Sequence, residues 1–539
     1  MYVFDYSLVD RINSEPAINV LAFLILPYLG GLAGFFLLIS AIGNMISMSR
    51  NLQSGRTVRE LVMKQVFGGF LILLFAMLTE STLGYKGALG EAIHLNPNAA
   101  ELILWRGYHM ETIHTIAWCV IINGIIHGLL SRNGKWKNMK RLIVTYSILT
   151  LIVLVLTPLM WNLAQAIVPG YPYASYHEAG LFNSWRNVQY PVAGYSTAWD
   201  YLKLFFLAPL AGQVEPIFPY LAVSFIGSII GLILSQERKK ISQNFPRNMI
   251  FVGLMMFLSG AGGLLVNYSL IMEAKGIEAV LSTYLNLSDH RFYSSLPAAG
   301  WLFQFLFVNG GALCITMLVM RLVEFRGRGP AFGKKTLFIR RYGFVALTVY
   351  NYQFLFFLPH LLITSLLGLK PYTQFSWGGV FLVEILGITL IQGVLLLWEK
   401  LQYVGSMEWC IGVIASRLIP NRQRSNQNTK TRLKWWEKGK LDIQGVLYEP
   451  EWLNIIEETE VNHKKQVDSK LAWKLSLLGF ILFPLAILAY LIAKQSIHTE
   501  NVNKFNKRAK RVSIGAIVFE VAWISILFAF TPSSLGIPL

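Results

Sequence analysis

The chain has 539 residues, of which 54% are hydrophobic and 14% are charged, and its mean hydropathy is +0.49. This composition excludes an ordinary soluble protein and predicts a polytopic membrane protein. The formal net charge of +18 is carried mostly by short loops between apolar runs, so we predict no nucleic-acid partner.

About nine apolar runs are long enough to cross a bilayer, and a further pair follows near the C-terminus. We therefore predict an all-α polytopic membrane protein with about nine core transmembrane helices and a C-terminal two-helix hairpin. The core runs are Val20–Met48, Val62–Leu83, Met110–Leu130, Leu142–Ile167, Pro216–Ser235, Met249–Met272, Gly300–Leu322, Tyr342–Leu367 and Trp377–Trp398, and the late pair is Leu471–Ala493 and Val512–Phe530.

Loop charge predicts the orientation of these runs. The loops after the first, third, fifth and seventh runs are basic, with Arg50, Lys137, Arg238 and Arg326 among their residues. The positive-inside rule makes these loops cytoplasmic and the N-terminus external, in a multi-pass protein of the cell membrane. We expect a membrane core over residues 1–418, a basic cytoplasmic linker over 419–470 and a membrane hairpin over 471–539.

The late pair conflicts with this alternation. Its connecting loop carries Lys504 and Arg511 and is therefore expected inside, whereas nine crossings place it outside. Three explanations stay open: the hairpin is re-entrant, one crossing is miscounted, or the added pair breaks the rule.

The third apolar run carries ionisable residues at unusual positions. Glu111 and His114 are three residues apart and share one helix face, and His127 lies about 20 Å further along the same axis. Ionisable groups inside a span usually face a bundle interior or a water-filled cavity. The alternatives are a side chain hydrogen-bonded between helices and a side chain that snorkels to the interface.

The external loop after the fourth run is rich in aromatic residues and contains His177. Tyrosine, tryptophan, asparagine and arginine side chains in this loop suit a sugar-like acceptor, although an interfacial aromatic belt has the same composition. The chain carries no cluster of residues with metal-ligand spacing, so we predict no metal site.

Several phrases, taken in order over residues 18–418, resemble the transmembrane acyltransferase superfamily of heparan-α-glucosaminide N-acetyltransferase-like and YeiB-like membrane proteins. The phrase Arg341–Phe356 is the closest match, and the chain departs from the heparan-type enzymes because no histidine precedes His94. The other phrases are LPYLGGLAGFFLLISAIG from Leu26, ETIHTIAW from Glu111, EPIFPYLAVSFIGSIIGLIL from Glu215 and WEKLQYVGSMEW from Trp398.

The resemblance implies transfer of an acyl group, in the first instance acetyl, from cytoplasmic acyl-CoA to a glycan-like or lipid-linked acceptor on the outer face. No bound cofactor is implied, since acyl-CoA (acetyl-CoA) is a co-substrate, and a homo-oligomer is compatible with this function. Such a reaction needs a base near neutral pKa, which suits His114 oriented by Glu111, with His360 as the second candidate. Residues expected to contact substrate are Arg106, His109, Tyr350, Asn351 and His177.

The missing early histidine leaves three interpretations open. The chain lacks an upstream helix, or another residue carries the chemistry, or the protein is not an acyltransferase. The alternatives to an enzyme are a transporter or flippase of a polar lipid or glycan precursor, and a membrane scaffold that has kept the fold and lost the chemistry.

Overall fold

The computed structural model describes residues 25–83, 88–90, 108, 110, 112–167, 197–211, 215–285, 287, 299–352, 358–418, 441–452, 466–480 and 483–529. The regular structure in these residues is helical, and no strand occurs among them. Eight helices in this part of the chain are long and apolar enough to cross a membrane. The predicted fold class, an all-α polytopic membrane protein, is confirmed.

Eighteen α-helices of six residues or more follow one another in the described ranges. The first nine are α1 (Ala33–Gln53), α2 (Val58–Thr82), α3 (Thr112–Ser131), α4 (Met139–Ile167), α5 (Ala198–Ala211), α6 (Ile217–Leu234), α7 (Phe245–Lys275), α8 (Ile277–Leu285) and α9 (Gly300–Val323). The others are α10 (Gly329–Lys335), α11 (Leu337–Phe344), α12 (Ala346–Asn351), α13 (Leu358–Leu367), α14 (Pro371–Lys400), α15 (Met407–Leu418), α16 (Val467–Leu478), α17 (Phe483–Glu500) and α18 (Lys504–Ala529).

Helices α3 and α6 lie at the centre of the bundle. Helix α6 packs against α1, α3 and α4, while α3 packs along α2. The most apolar stretch of α6 is 78% buried, against 28% for α4. The apolar side chains of α4 therefore face outward, as in a helix at the lipid boundary, while α6 is enclosed by other helices.

Glycines allow the central helices to approach closely. A Cβ atom at Gly227 of α6 would lie 2.8 Å from the carbonyl oxygen of Leu38 in α1. A Cβ atom at Gly260 of α7 would lie 2.3 Å from the backbone nitrogen of Phe307 in α9. Small residues at such crossings let backbones pack directly, which is how helices associate in a bilayer.

The expected run Tyr342–Leu367 is not one continuous span in the described residues. It is divided among α11, α12 and α13, and Val345, with φ −119° and ψ 44°, separates the first two. The Glu408 carboxylate accepts the backbone N–H groups of Leu347 at 2.7 Å and Thr348 at 3.2 Å. These bonds satisfy amides at the start of α12 that a continuous helix would pair internally.

The expected late run Leu471–Ala493 is also divided, into α16 and α17. The carboxylate of Glu500, at the end of α17, accepts the backbone N–H groups of Asp468 at 2.6 Å and Ser469 at 3.0 Å, at the start of α16. The two ends of this hairpin therefore lie side by side.

This hairpin is fastened to the core by buried charges. The Asp468 carboxylate pairs with Arg321 and Arg326 at the end of α9, and the Gln495 amide donates to the carbonyl oxygen of Leu322 at 2.9 Å. The basic start of α18 consequently lies on the same side of the bundle as the end of α9. That placement is compatible with the loop charge, and the three explanations for the late pair stay open.

The basic loops meet at one end of the bundle, which we call the basic end. Arg50 in the last turn of α1, Lys137 after α3 and Arg238 after α6 line one shared cavity there. Trp452, which also lines that cavity, packs on Gly329 in the loop region after α9. The first residues of α3 lie toward the opposite end.

Candidate functional site

A cavity of about 1230 Å³ opens at the basic end, and we call it the basic-end cavity. It lies between the ends of α1, α3 and α6, and residues 450–452 close one side of it. Its lining combines four cationic side chains with two indole rings. These residues are Arg50, Lys137, Arg238, Lys240, Trp136 and Trp452.

His127 lies in the wall of the basic-end cavity near the end of α3. It is 1% exposed, and neither ring nitrogen has a hydrogen-bond partner among the described residues. Its ring stacks on Tyr146 with centroids 6.3 Å apart. Because both ring nitrogens are buried, a ligand in the cavity can hydrogen-bond this imidazole only after a local movement exposes one of them.

A line of polar groups continues from His127 into the bundle. The Tyr146 hydroxyl donates to Asn123 Oδ1 at 2.9 Å, and Asn123 Nδ2 donates to Ser228 Oγ at 2.5 Å. A void of about 10 Å³ lies beside Asn123 and Ser224, which is about the volume that one water molecule requires. The face of α3 that runs from His127 toward the middle of the bundle is therefore polar.

Residues 441–452, which we call the strap, end in one wall of the basic-end cavity, which residues 450–452 line. The guanidinium of Arg340 donates to the carbonyl oxygens of Val446 and Leu447, the latter at 2.8 Å. The Tyr448 hydroxyl bonds the carboxylate of Glu399, and this hydrogen bond together with burial raises the pKa of Tyr448. The first part of the strap is thus held firmly against α11 and α14.

The end of the strap reaches the cavity itself. The ring of Trp452 lies where a Cβ at Gly329 would be, 2.3 Å from the nearest ring carbon, and the guanidinium of Arg340 lies 5.6 Å from the ring centroid. The carboxylate of Glu451 lies 3.5 Å from Arg50, and Arg238 donates to the Trp452 carbonyl at 3.4 Å.

His114 lies near the other end of α3 and is fully buried. Its ring makes an edge contact with Tyr108 at 5.7 Å between centroids. The Tyr108 hydroxyl donates to the carbonyl oxygen of Phe205 at 2.8 Å and accepts from Trp118 Nε1 at 3.0 Å. His114 is therefore held in an aromatic pocket, here called the His114 pocket, built by α3, α5 and the segment before α3.

Two carboxylates near this pocket were missed by sequence reasoning. Glu215 is 4% exposed; its backbone N–H donates to the Met110 carbonyl at 3.0 Å, and its carbonyl accepts from Thr115. Glu80 is also buried, on the face of α2 that packs along α3. The sequence feature that could have identified Glu215 is its position at the edge of an apolar run, directly before Pro216.

The structure places the remaining predicted residues apart from the basic-end cavity. His360 is buried on α13, and the ring of Tyr350 makes an edge contact with Phe36 at 6.4 Å. The Asn351 amide donates to the Leu347 carbonyl at 2.7 Å, and its Oδ1 accepts from Thr79 of α2.

Helix α2 contacts both α3 and α12, and it therefore lies between the helices of His114 and Asn351. The other predicted site residues, Glu111, Arg106, His109 and His177, lie outside the described residues.

Within the described ranges, no cluster of histidine, cysteine or acidic side chains has the geometry to hold a metal ion. No protein-family model, curated protein or solved structure matches the chain. Fold and site together define a multi-pass helical membrane protein with a large cationic cavity at one end and a buried histidine near the other. The chemistry of these two places carries the functional argument.

Proposed function

We propose that the protein is an integral membrane acyltransferase. It takes an acyl group, acetyl in the first instance, from acyl-CoA at the basic end and transfers it to a glycan-like or lipid-linked acceptor at the opposite end. The observation that carries this proposal is the basic-end cavity, with cationic side chains, indole rings and His127 in one wall. Loop charge makes the basic end cytoplasmic, which is where acyl-CoA is found.

The lining of the cavity suits coenzyme A chemically. Coenzyme A carries phosphate groups, an adenine ring and a long amide-bearing arm. Arg50, Lys137 and Arg238 supply charge-assisted donors for the phosphates, while Trp136 offers a face on which an adenine stacks. The volume of about 1230 Å³ exceeds the range of about 300–1,000 Å³ for pockets that hold drug-sized ligands, which leaves room for a whole nucleotide.

The arm of the donor reaches most of the distance between the two histidines of α3. His127 follows His114 by 13 residues, which is about 20 Å along a helix. The pantetheine arm is comparable to five extended residues and reaches roughly 17 Å. The polar groups Asn123, Ser224 and Ser228 lie between the two histidines along the central helices, where the amides of such an arm need partners.

In the proposed reaction, the acceptor hydroxyl or amine attacks the thioester carbonyl carbon. His114 takes the proton of the acceptor, and the carbon–sulfur bond breaks. The departing coenzyme A thiolate then takes that proton from His114, which returns the histidine to its neutral form. Glu111 remains the acid that is predicted to orient His114, and Glu215 is a second acid near the His114 pocket. The Asn351 amide donates to the Leu347 carbonyl, and α2 lies between its helix and that of His114, so the proposed reaction assigns Asn351 no part in stabilising the oxyanion.

The test is an acyl-transfer assay that distinguishes the two sides of the membrane. The purified protein is reconstituted into sealed vesicles, and labelled acetyl-CoA is supplied to one side at a time. We expect saturable binding of acetyl-CoA and label transfer to membrane or glycan material when acetyl-CoA faces the basic end. A folded protein that shows neither binding nor transfer from either side contradicts the proposal.

A second candidate function is transport of a polar lipid or glycan precursor. The divided segments α11 to α13 and α16 to α17 favour it, because transporters often build their sites from discontinuous helices. The same vesicles separate the two functions. Movement of an unmodified precursor without acyl-CoA supports a transporter, whereas modification that depends on acyl-CoA supports the enzyme.

A further inference from the structure

The strap places its own carboxylate on a cation of the basic-end cavity. Glu451 lies 3.5 Å from Arg50, and both residues line the cavity. The side chains are 88% and 51% exposed respectively. An exposed pair at this distance is weak, because water screens it and both side chains lose rotamer freedom.

The position of Glu451 is nevertheless fixed by its neighbours. Trp452 packs on Gly329, and a Cβ atom at Gly333 would lie 2.9 Å from the same indole. Arg340 holds the strap at the Leu447 carbonyl oxygen. These contacts keep the Glu451 carboxylate close to Arg50 even though the ion pair itself contributes little. The effective local concentration of the carboxylate at Arg50 is therefore high.

We propose that Glu451 is a built-in competitor for Arg50, which a phosphate-bearing polyanion must displace when it binds in the basic-end cavity. The cavity then has two states. In the ligand-free state Arg50 is paired with Glu451, and in the bound state Arg50 contacts a phosphate group. The consequence is a lower affinity for the ligand and an easier release of spent coenzyme A. This inference rests on the proposed function for the identity of the ligand as acyl-CoA.

The chain supplies two matched controls. Glu237 is another carboxylate of the same cavity, but it pairs with Lys240 at 3.1 Å. Glu449 is an acid of the strap outside the lining of that cavity, and it accepts from Gln444 at 2.9 Å. Glu237→Gln measures the effect of removing any negative charge from the cavity, and Glu449→Gln measures the effect of altering the strap.

The experiment is a double-mutant cycle on binding by the full chain in detergent. The affinities of coenzyme A and of inorganic pyrophosphate are measured for wild type, Glu451→Gln, Arg50→Gln and the double variant. We expect Glu451→Gln to tighten binding about 2–5-fold, as removal of a weak competing pair allows, and this gain to vanish when Arg50 is replaced. The smaller gain from Glu237→Gln should persist without Arg50, and Glu449→Gln should have no effect.

The outcomes separate this inference from the proposed function. A cycle that holds for pyrophosphate in a protein that does not bind coenzyme A supports the competitor and contradicts the acyl-CoA site. Coenzyme A binding that Glu451→Gln leaves unchanged or weakens overturns the competitor and leaves the donor site intact. A gain that persists in the Arg50→Gln background also overturns it, and binding of neither probe by any variant overturns both.

Discussion

The two buried histidines of α3 lie on one helix and have different surroundings. His114 is fully buried and His127 is 1% exposed, so burial does not distinguish them. His114 contacts the Tyr108 ring in the His114 pocket, whereas His127 lines a large cationic cavity. The comparison teaches that an ionisable residue in a span acquires its role from the helices around it. We infer that His114 acts on the acyl acceptor and that His127 contacts the acyl-CoA donor.

The largest expected effect is that of His114→Ala on turnover. Removing a general base typically lowers a rate about 10²–10⁴-fold, and we expect a loss of that order in label transfer from acetyl-CoA. Binding of coenzyme A should be unchanged, because His114 lies about 20 Å from His127 along α3. Rate and binding are measured on the same preparation, and thermal unfolding confirms that the variant is folded. Full activity in this variant contradicts the role of His114.

Replacement of His127 should give the opposite pattern. His127→Ala removes a buried hydrogen-bonding group from the cavity wall, and a hydrogen bond to a charged ligand contributes about 1.5–3 kcal/mol. We expect coenzyme A to bind at least about 10-fold more weakly, as measured by retention of labelled ligand. His360→Ala is the matched control, since His360 is a buried histidine outside the lining of the basic-end cavity. Equal effects of the two replacements would contradict a specific donor contact.

The helical, multi-pass architecture could be predicted because hydropathy reports span length directly. Two runs proved to be divided, and for one of them the structure gives the physical reason. A window of apolar residues does not reveal a break when the freed backbone groups find partners elsewhere. Glu408 supplies such partners at the start of α12, directly after the break at Val345. This acid is distant in sequence from the break that it stabilises.

The candidate site was predictable only in part, because a sequence shows which residues are unusual and not which of them meet. The pattern in α3 identified His114 as an ionisable residue within a span, and it contained His127 as well. Nothing local in the sequence places Arg50 or the strap beside His127, since these contacts join segments hundreds of residues apart. Glu451 and Trp452 belong to the segment that was predicted to be a basic cytoplasmic linker. Tertiary packing gives them a position in the cavity wall.

The smallest expected effect sharpens the assignment of the cavity as a phosphate site. Lys137 lines the basic-end cavity, whereas Lys135, in the same short turn after α3, does not. An exposed charge contributes about 0.2–1 kcal/mol to a pair, so Lys137→Ala should weaken coenzyme A binding by about 2–5-fold.

Lys135→Ala removes the same charge from the same turn and should leave that affinity within error of wild type. Because screening acts on exposed charges, the difference between the two variants should shrink as salt rises from about 0.05 to 0.5 M. Equal weakening by both replacements would mean that the basic end attracts coenzyme A through its overall field. In that case the phosphates would not be held by specific side chains in the cavity, and the donor would have to be located by other contacts.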